Sequence, residues 1–235
     1  MRLFKDIDHV MQTTFAVSEE DALKLLPKPF LPFVIFGRGL LQIGALRYRD
    51  LIFEGRSLGP CTDVYVAIGV EWKDRLYGYN VAFFNNSEHV VEVVNKNWFF
   101  GKKLADVSWD EDRGKLQVQV DLHGRPVLNY QVSAPPSGLI VPLPVMPKIE
   151  RALTISNGRI YSFDNIFCSN FGCYAWPEVY ARNDLDWLES IGKTQVYSLI
   201  WFDDILRVAD AKLAGYTEPS AIKNVFKIFT GRNDL

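Results

Sequence analysis

Apolar and polar positions alternate with period two from Lys115 to Leu122, His123-Gly124 offers a turn, and Val127 to Val132 returns. That pattern predicts a β-hairpin, because successive side chains of a strand point to opposite faces and a two-residue turn with glycine suits strand twist. Thr62 to Val70 is a β-branched, nearly unbroken apolar run, too apolar for an exposed edge. Lys73-Asp74 can turn it back into Tyr77 to Phe84, a second hairpin. Further strands are expected near 152–156, 159–164, 166–175 and 194–201. Helical spacing is rarer. Ser18 can cap a short helix whose apolar face is Ala22, Leu23, Leu25 and Leu26, and Pro27 stops it. Phe202 to Leu213 reads as a helix. Pro219 to Gly231 places Ile222, Val225, Phe226 and Phe229 on one helical face, with Lys223 and Lys227 opposite.

The sum is a mixed α+β, mainly β protein. We expect a single domain built on a curved antiparallel sheet closing into a barrel or cone, with a few peripheral helices, because so many strands need their edges covered. The proline-rich stretch from Pro135 to Pro147 reads as an internal loop, since both of its flanks are rich in strand signal. The domain is placed at residues 1–215, followed by an amphipathic helical extension at 216–235.

Composition removes several function classes. Lys and Arg number 26 against 28 Asp and Glu, a net charge of −2, and 48 % of the 235 residues are hydrophobic. This balance suits a compact folded chain and offers neither nucleic acid nor an anionic membrane a basic surface. No apolar run reaches the length of a membrane span, and the charged start Met1 to Val10 does not resemble a signal peptide, so a cytoplasmic location is expected. Cys61, Cys168 and Cys173 form neither a disulfide framework nor a zinc spacing, and a structural role is expected for them. His9, His89 and His123 share no metal-ligand spacing, so no metal is expected. There is no phosphate-binding glycine loop and no Gly-x-Ser-x-Gly elbow.

One stretch carries chemistry. In Asn97 to Ala105, the aromatics Trp98, Phe99 and Phe100 lead through Gly101 into the doublet Lys102-Lys103. Lysine pairs are usually solvated. An amine attacks a ketone only when deprotonated, and at an ordinary pKa of ~10.4 roughly one in 2,500 is free at pH 7. Apolar surroundings or a second ammonium nearby disfavour the charged form and release the nucleophile.

Phe100 to Ala105 resembles the Phe-Pro-Lys-Lys-Leu-Ala motif of the acetoacetate decarboxylase family. Asn86-Ser87-Glu88 resembles the Asp-Asn-Glu ahead of it, Val17 to Pro27 the early helix, and Tyr197 to Leu213 a C-terminal strand leading into a helix. The similarity spans roughly residues 9–215. It implies that Lys102 forms a Schiff base with a small carbonyl substrate, that Lys103 tunes or orients it, that no cofactor takes part, and that the chain is a homo-oligomer. His9, Tyr65, Trp98, Phe99 and Phe100 are expected to bind substrate. The chain departs from the family at four places. The family's glutamate falls at Ala67, its early arginine near His9, its Gly-Arg-Glu at Val94-Asn95-Lys96, and its proline at Gly101. Glu71 or Glu92 could supply a displaced carboxylate. Asp110-Glu111-Asp112 is read as a turn, and Asp203-Asp204 as the start of a helix.

The expected function is a Schiff-base lyase, of decarboxylase or of aldolase and dehydratase type, acting on a small keto acid or related carbonyl compound. The alternatives are a binding protein that holds a small hydrophobic ligand in the same cavity without catalysis, and an enzyme that uses other residues on the same scaffold.

Overall fold

The computed structural model describes residues 2–112, 115–133, 151–168, 172–174, 178–183 and 195–216. A large sheet of twelve strands and a smaller sheet of four make up the β structure, with two helices among the described residues. The large sheet contains β1 (Arg2–Ser18), β2 (Leu31–Pro32), β3 (Val34–Ile35), β4 (Arg38–Phe53), β5 (Arg56–Ser57), β6 (Cys61–Trp72), β7 (Arg75–Asn85) and β8 (Lys103–Leu104). The small sheet takes β9 (Asp106–Asp112), β10 (Lys115–Leu122), β11 (Arg125–Ser133) and, later in the chain, β15 (Glu178–Asn183). β12 (Arg151–Ser156), β13 (Arg159–Cys168), β14 (Gly172–Tyr174) and β16 (Gln195–Tyr216) return to the large sheet.

The long strands of the large sheet run in the order β6, β4, β1, β16, β13, β12, β7, and β7 also pairs with β6. Most pairings are antiparallel; those of β7 with β12 and with β8 are parallel. Two of its hairpins and that of the small sheet are built as their sequences dictate. Lys73-Asp74, His123-Gly124 and Asn157-Gly158 all take positive φ, as a two-residue turn compatible with strand twist requires.

Helix α1 (Glu19–Lys24) is capped by Ser18, whose Oγ accepts from the Asp21 N–H at 3.0 Å. Helix α2 (Glu88–Trp98) begins at Ser87 and ends at Phe99, which is left-handed with φ 57° and donates its N–H to the Asn95 carbonyl. Val90, Val94 and Trp98, spaced by four, form its buried stripe.

The core has two layers because β6 is buried on both faces. Cys61, Tyr65 and Ala67 join one apolar cluster with Leu46, Phe83, Trp98 and Phe163. Val64, Val66 and Ile68 join the other, against Leu116, Val118, Val120 and Leu128 of the small sheet. The period-two alternation of β10 thus packs its apolar face on the large sheet, and a hydrogen bond between Thr13 and Tyr130 hydroxyls joins the layers.

Several expectations need correction. Phe202 to Leu213 is strand, lying within the 22-residue β16, where it pairs with β1 on one side and β13 on the other. Two continuous ladders override a local helical pattern. Asp203-Asp204 accordingly opens no helix, and Asp203 pairs with His9. Asp110-Glu111-Asp112 ends β9, in register with Lys115 to Gln117, and is not a turn. The segment before Ser18, read only for its charges, is the 17-residue β1. The amphipathic segment Pro219 to Gly231 lies outside the described residues.

Candidate active site

The cavity lies on the α2 side of β6 and measures about 760 Å³ including its open mouth. Its chemistry follows from strand alternation. Asp63, Tyr65 and Ala67 are two apart on β6, so all three present the same face, and all three line the cavity.

Lys102 reaches this face from the other side. The left-handed Phe99 and Gly101, with φ 57° and 64°, turn the chain sharply after α2 and aim Lys102 inward while Lys103 faces solvent. Asn95, one turn back in α2, holds the turn in place. Its Oδ1 accepts from the Lys102 N–H at 2.7 Å, and its Nδ2 donates to the Lys102 carbonyl at 2.8 Å.

The Lys102 side chain is 4 % exposed. Its Nζ donates to both carboxylate oxygens of Asp63, at 2.5 and 2.7 Å, a buried ion pair. Two further donors satisfy the carboxylate: Tyr48 Oη to Oδ2 at 2.9 Å and Asn85 Nδ2 to Oδ1 at 2.7 Å. A buried charge pair persists only where its remaining hydrogen-bonding capacity is filled in this way. The face of Phe83 lies 4.3 Å from Nζ and adds a cation–π contact. Phe83, Phe100, Trp98 and Phe163 pack ring on ring around the lysine, with Phe100 and Phe163 centroids 4.3 Å apart.

Tyr65 stands farther along the cavity. It accepts a hydrogen bond from Gln12 Nε2 and donates to Gln42 Oε1 at 3.1 Å. Its ring lies on Gly44, its register partner on β4, where an added Cβ would come within 2.3 Å of Cζ. Cys61, next on the same face beyond Asp63, is no nucleophile. Burial, reinforced by the Asp63 charge, pushes its thiol up to about 12.

The structure brings together Lys102, Tyr65, Trp98 and Phe100, all lining the cavity. Phe99 turns away to pack on Tyr161, ring centroids 5.1 Å apart. Lys103 is exposed on β8, in register with Phe84. His9 lies outside the cavity lining, between Asp8 at 3.4 Å and Glu111 at 3.3 Å. Glu71 is exposed on β6 and Glu92 exposed on α2. Four contributors went unread in the sequence: Asp63, Asn85, Asn95 and Lys5, the last of which also lines the cavity. Asp63 alone left a signal, as the one acid inside the apolar run of β6. Among the described residues, no group of His, Cys, Asp and Glu could hold a metal ion, and no helix is long and apolar enough to cross a membrane.

No protein-family model matches the chain, and no curated protein matches it in sequence. Solved structures do. Acetoacetate decarboxylase from Legionella pneumophila superposes with a TM-score of 0.72 at 11 % identity, over 92 % of this chain and 88 % of that one. The enduracididine biosynthesis enzyme MppR, solved with pyruvate, gives 0.66 at 11 %, over 90 % and 89 %. An acetoacetate decarboxylase-like enzyme from Sphingomonas wittichii RW1 gives 0.68 at 10 %, over 91 % and 93 %. The chain therefore shares the fold of acetoacetate decarboxylase and of enzymes like it.

Proposed function

We propose that this protein is a cofactor-independent enzyme that forms a Schiff base between Lys102 and a small keto acid or related carbonyl compound. The observation that carries the reading is the Lys102 Nζ buried in the cavity wall with the Asp63 carboxylate 2.5 Å away. Asp63 takes the Nζ proton, and the free amine attacks the carbonyl carbon, forming the N–C bond. The carbonyl oxygen then collects protons through Asp63 and leaves as water. The product is a protonated imine opposite a regenerated carboxylate, so atoms and charge balance. That imine is the electron sink for cleavage at the neighbouring carbon. Tyr48 and Asn85 hold Asp63 in line, and the aromatic wall keeps the imine from bulk water. Lys5 supplies a second cation suited to a substrate carboxylate. In this reading Asp63 is the partner of Lys102, and Lys103 contributes only as a neighbouring charge.

The run of pairings from β6 through β4, β1, β16, β13 and β12 to β7, with β7 back on β6, supports reading the sheet as a barrel or cone around the cavity. The likeness in fold to MppR solved with pyruvate supports a keto-acid ligand.

The same ion pair favours a second reading, a binding protein, because a lysine held as an ammonium does not attack. Borohydride trapping separates the two. Incubation with pyruvate, acetoacetate and acetone, followed by reduction and peptide mass analysis, is expected to place an adduct on the Lys102 peptide and to leave Lys102→Met unlabelled. Scattered labelling of surface lysines, or none, would favour the binding protein.

A further inference from the structure

The cavity extends well past Lys102. From Asp63 to Ala67 the wall runs four residues of β6, about 13 Å at the usual strand rise. A three- or four-carbon keto acid bound at Lys102 leaves most of that length empty. The far end has its own chemistry. Gln42 is the register partner of Ala67 on β4, and Asn80 its partner on β7. Gln12 joins them through its bond to Tyr65. Ala67 and Gly78, both small, leave space between these amides.

Gln42 and Gln12 are buried, at 2 % and 7 % exposure. Each uses one amide atom on the Tyr65 hydroxyl. The other amide atoms of Gln12 and Gln42, and the Asn80 amide, make no hydrogen bond among the described residues. All three residues line the cavity, and an amide offers two donor hydrogens and an acceptor to a ligand that enters it. Among the described residues, the cations that line the cavity are Lys5 and Lys102, and both lie toward its other end. A carboxylate brought to the amide end would lose its water and meet no counter-charge among the described residues, whereas an uncharged group with both donor and acceptor would find partners for each.

We propose that Gln12, Gln42 and Asn80 form a subsite for an uncharged hydrogen-bonding group, a carboxamide by preference, at the distal end of an elongated substrate. This rests on the Schiff-base reading only for where the reacting carbonyl lies. The substrate class is then a keto acid of extended chain with a neutral polar terminus, its carboxylate toward Lys5 and its apolar middle along Tyr65 and Phe83.

Calorimetric titration with three six-carbon ligands tests the subsite: hexanoate, hexanedioate and the monoamide of hexanedioate. None carries a ketone, so the result is independent of imine formation. The monoamide is expected to bind about tenfold tighter than hexanoate and tighter still than the dianion, and Gln42→Leu should abolish its advantage. Asn80→Leu, at a half-buried position, gives the same readout if the Gln42 variant does not fold. Equal binding of monoamide and hexanoate, a preference for the dianion, or an advantage that survives both substitutions would overturn the proposal. Monoamide selectivity without any borohydride adduct would instead keep the subsite and remove the imine.

Discussion

The side-chain amide of Asn95 pairs with both backbone groups of Lys102, accepting from its N–H at 2.7 Å and donating to its carbonyl at 2.8 Å. A helix residue thus fixes the backbone of the buried lysine seven residues later. Asn95 stands where the resembled Gly-Arg-Glu motif has its arginine. In this chain it has a positional use, and the departure cannot be read as a simple loss.

Replacing Asn95 should therefore loosen the site before it unfolds the protein. Asn95→Ala removes two partly buried hydrogen bonds and is expected to cost about 1–3 kcal/mol in urea denaturation. It should slow borohydride trapping at Lys102 by more than tenfold. Asn95→Asp keeps the acceptor and should recover part of both. Unchanged trapping in Asn95→Ala would show that the clamp does not position the lysine.

The ion pair predicts a non-additive cycle. Asp63→Asn leaves a buried ammonium without its counter-charge and is expected to destabilise by about 3–5 kcal/mol, and Lys102→Met should cost a similar amount through the stranded carboxylate. The double variant Asp63→Asn, Lys102→Met removes both charges and should be more stable than the sum of the single changes by at least about 2 kcal/mol. Denaturation of the four proteins in one buffer decides it; simple additivity would mean that the two side chains do not interact.

Gly44 and Tyr65 should behave as one unit. A Cβ at Gly44 would sit 2.3 Å from Tyr65 Cζ, so Gly44→Ala must push the ring aside. We expect about 1–3 kcal/mol of destabilisation and loss of the Tyr65 hydrogen bonds to Gln12 and Gln42. Adding Tyr65→Ala to Gly44→Ala should relieve the clash, and a double variant less stable than both single ones would contradict this contact.

Alkaline pH should expose the buried thiol. Cys61 is raised on folding, from 9.0 to about 12, chiefly by burial. The folded state therefore favours the protonated thiol. Its contribution is intact below about pH 9 and is lost as pH rises toward 12, at most about 4 kcal/mol. Tyr130, also raised by burial, acts in the same direction. Stability measured at pH 8 and pH 10.5 should fall less steeply for Cys61→Val than for the native chain, and an identical slope would exclude the thiol as a cause.

What the sequence made legible was local. Two hairpins showed in their alternation and turn residues, α1 in its cap and its proline, and the approach to Lys102 in its aromatics and glycine. The ladders of β1 and β16 were hidden because the pairing that makes them strands comes from the opposite part of the chain, and Phe202 to Leu213 carried a helical pattern in its absence. At the site, Lys102 was readable from its neighbours. Asp63 was half readable, since an acid in a doubly buried strand needs a partner. Asn85 and Asn95 were not, because an asparagine at a strand end or within a helix gives no sign of which backbone or carboxylate it will meet.

The pairing of β1 with β16 also bears on how the protein is made. Arg2 pairs with Asp210 and Thr13 with Leu199, so the first long strand waits for nearly the whole chain to be synthesised before one of its edges is filled. Until then β1 offers the ribosome-bound chain a long unpaired edge, the kind of surface that recruits chaperones or foreign strands. Contacts so distant in sequence close slowly once synthesis ends. Truncation between residues 168 and 195 would leave that same edge open, and we expect such fragments to aggregate even though the described residues that line the cavity around Lys102 are all present.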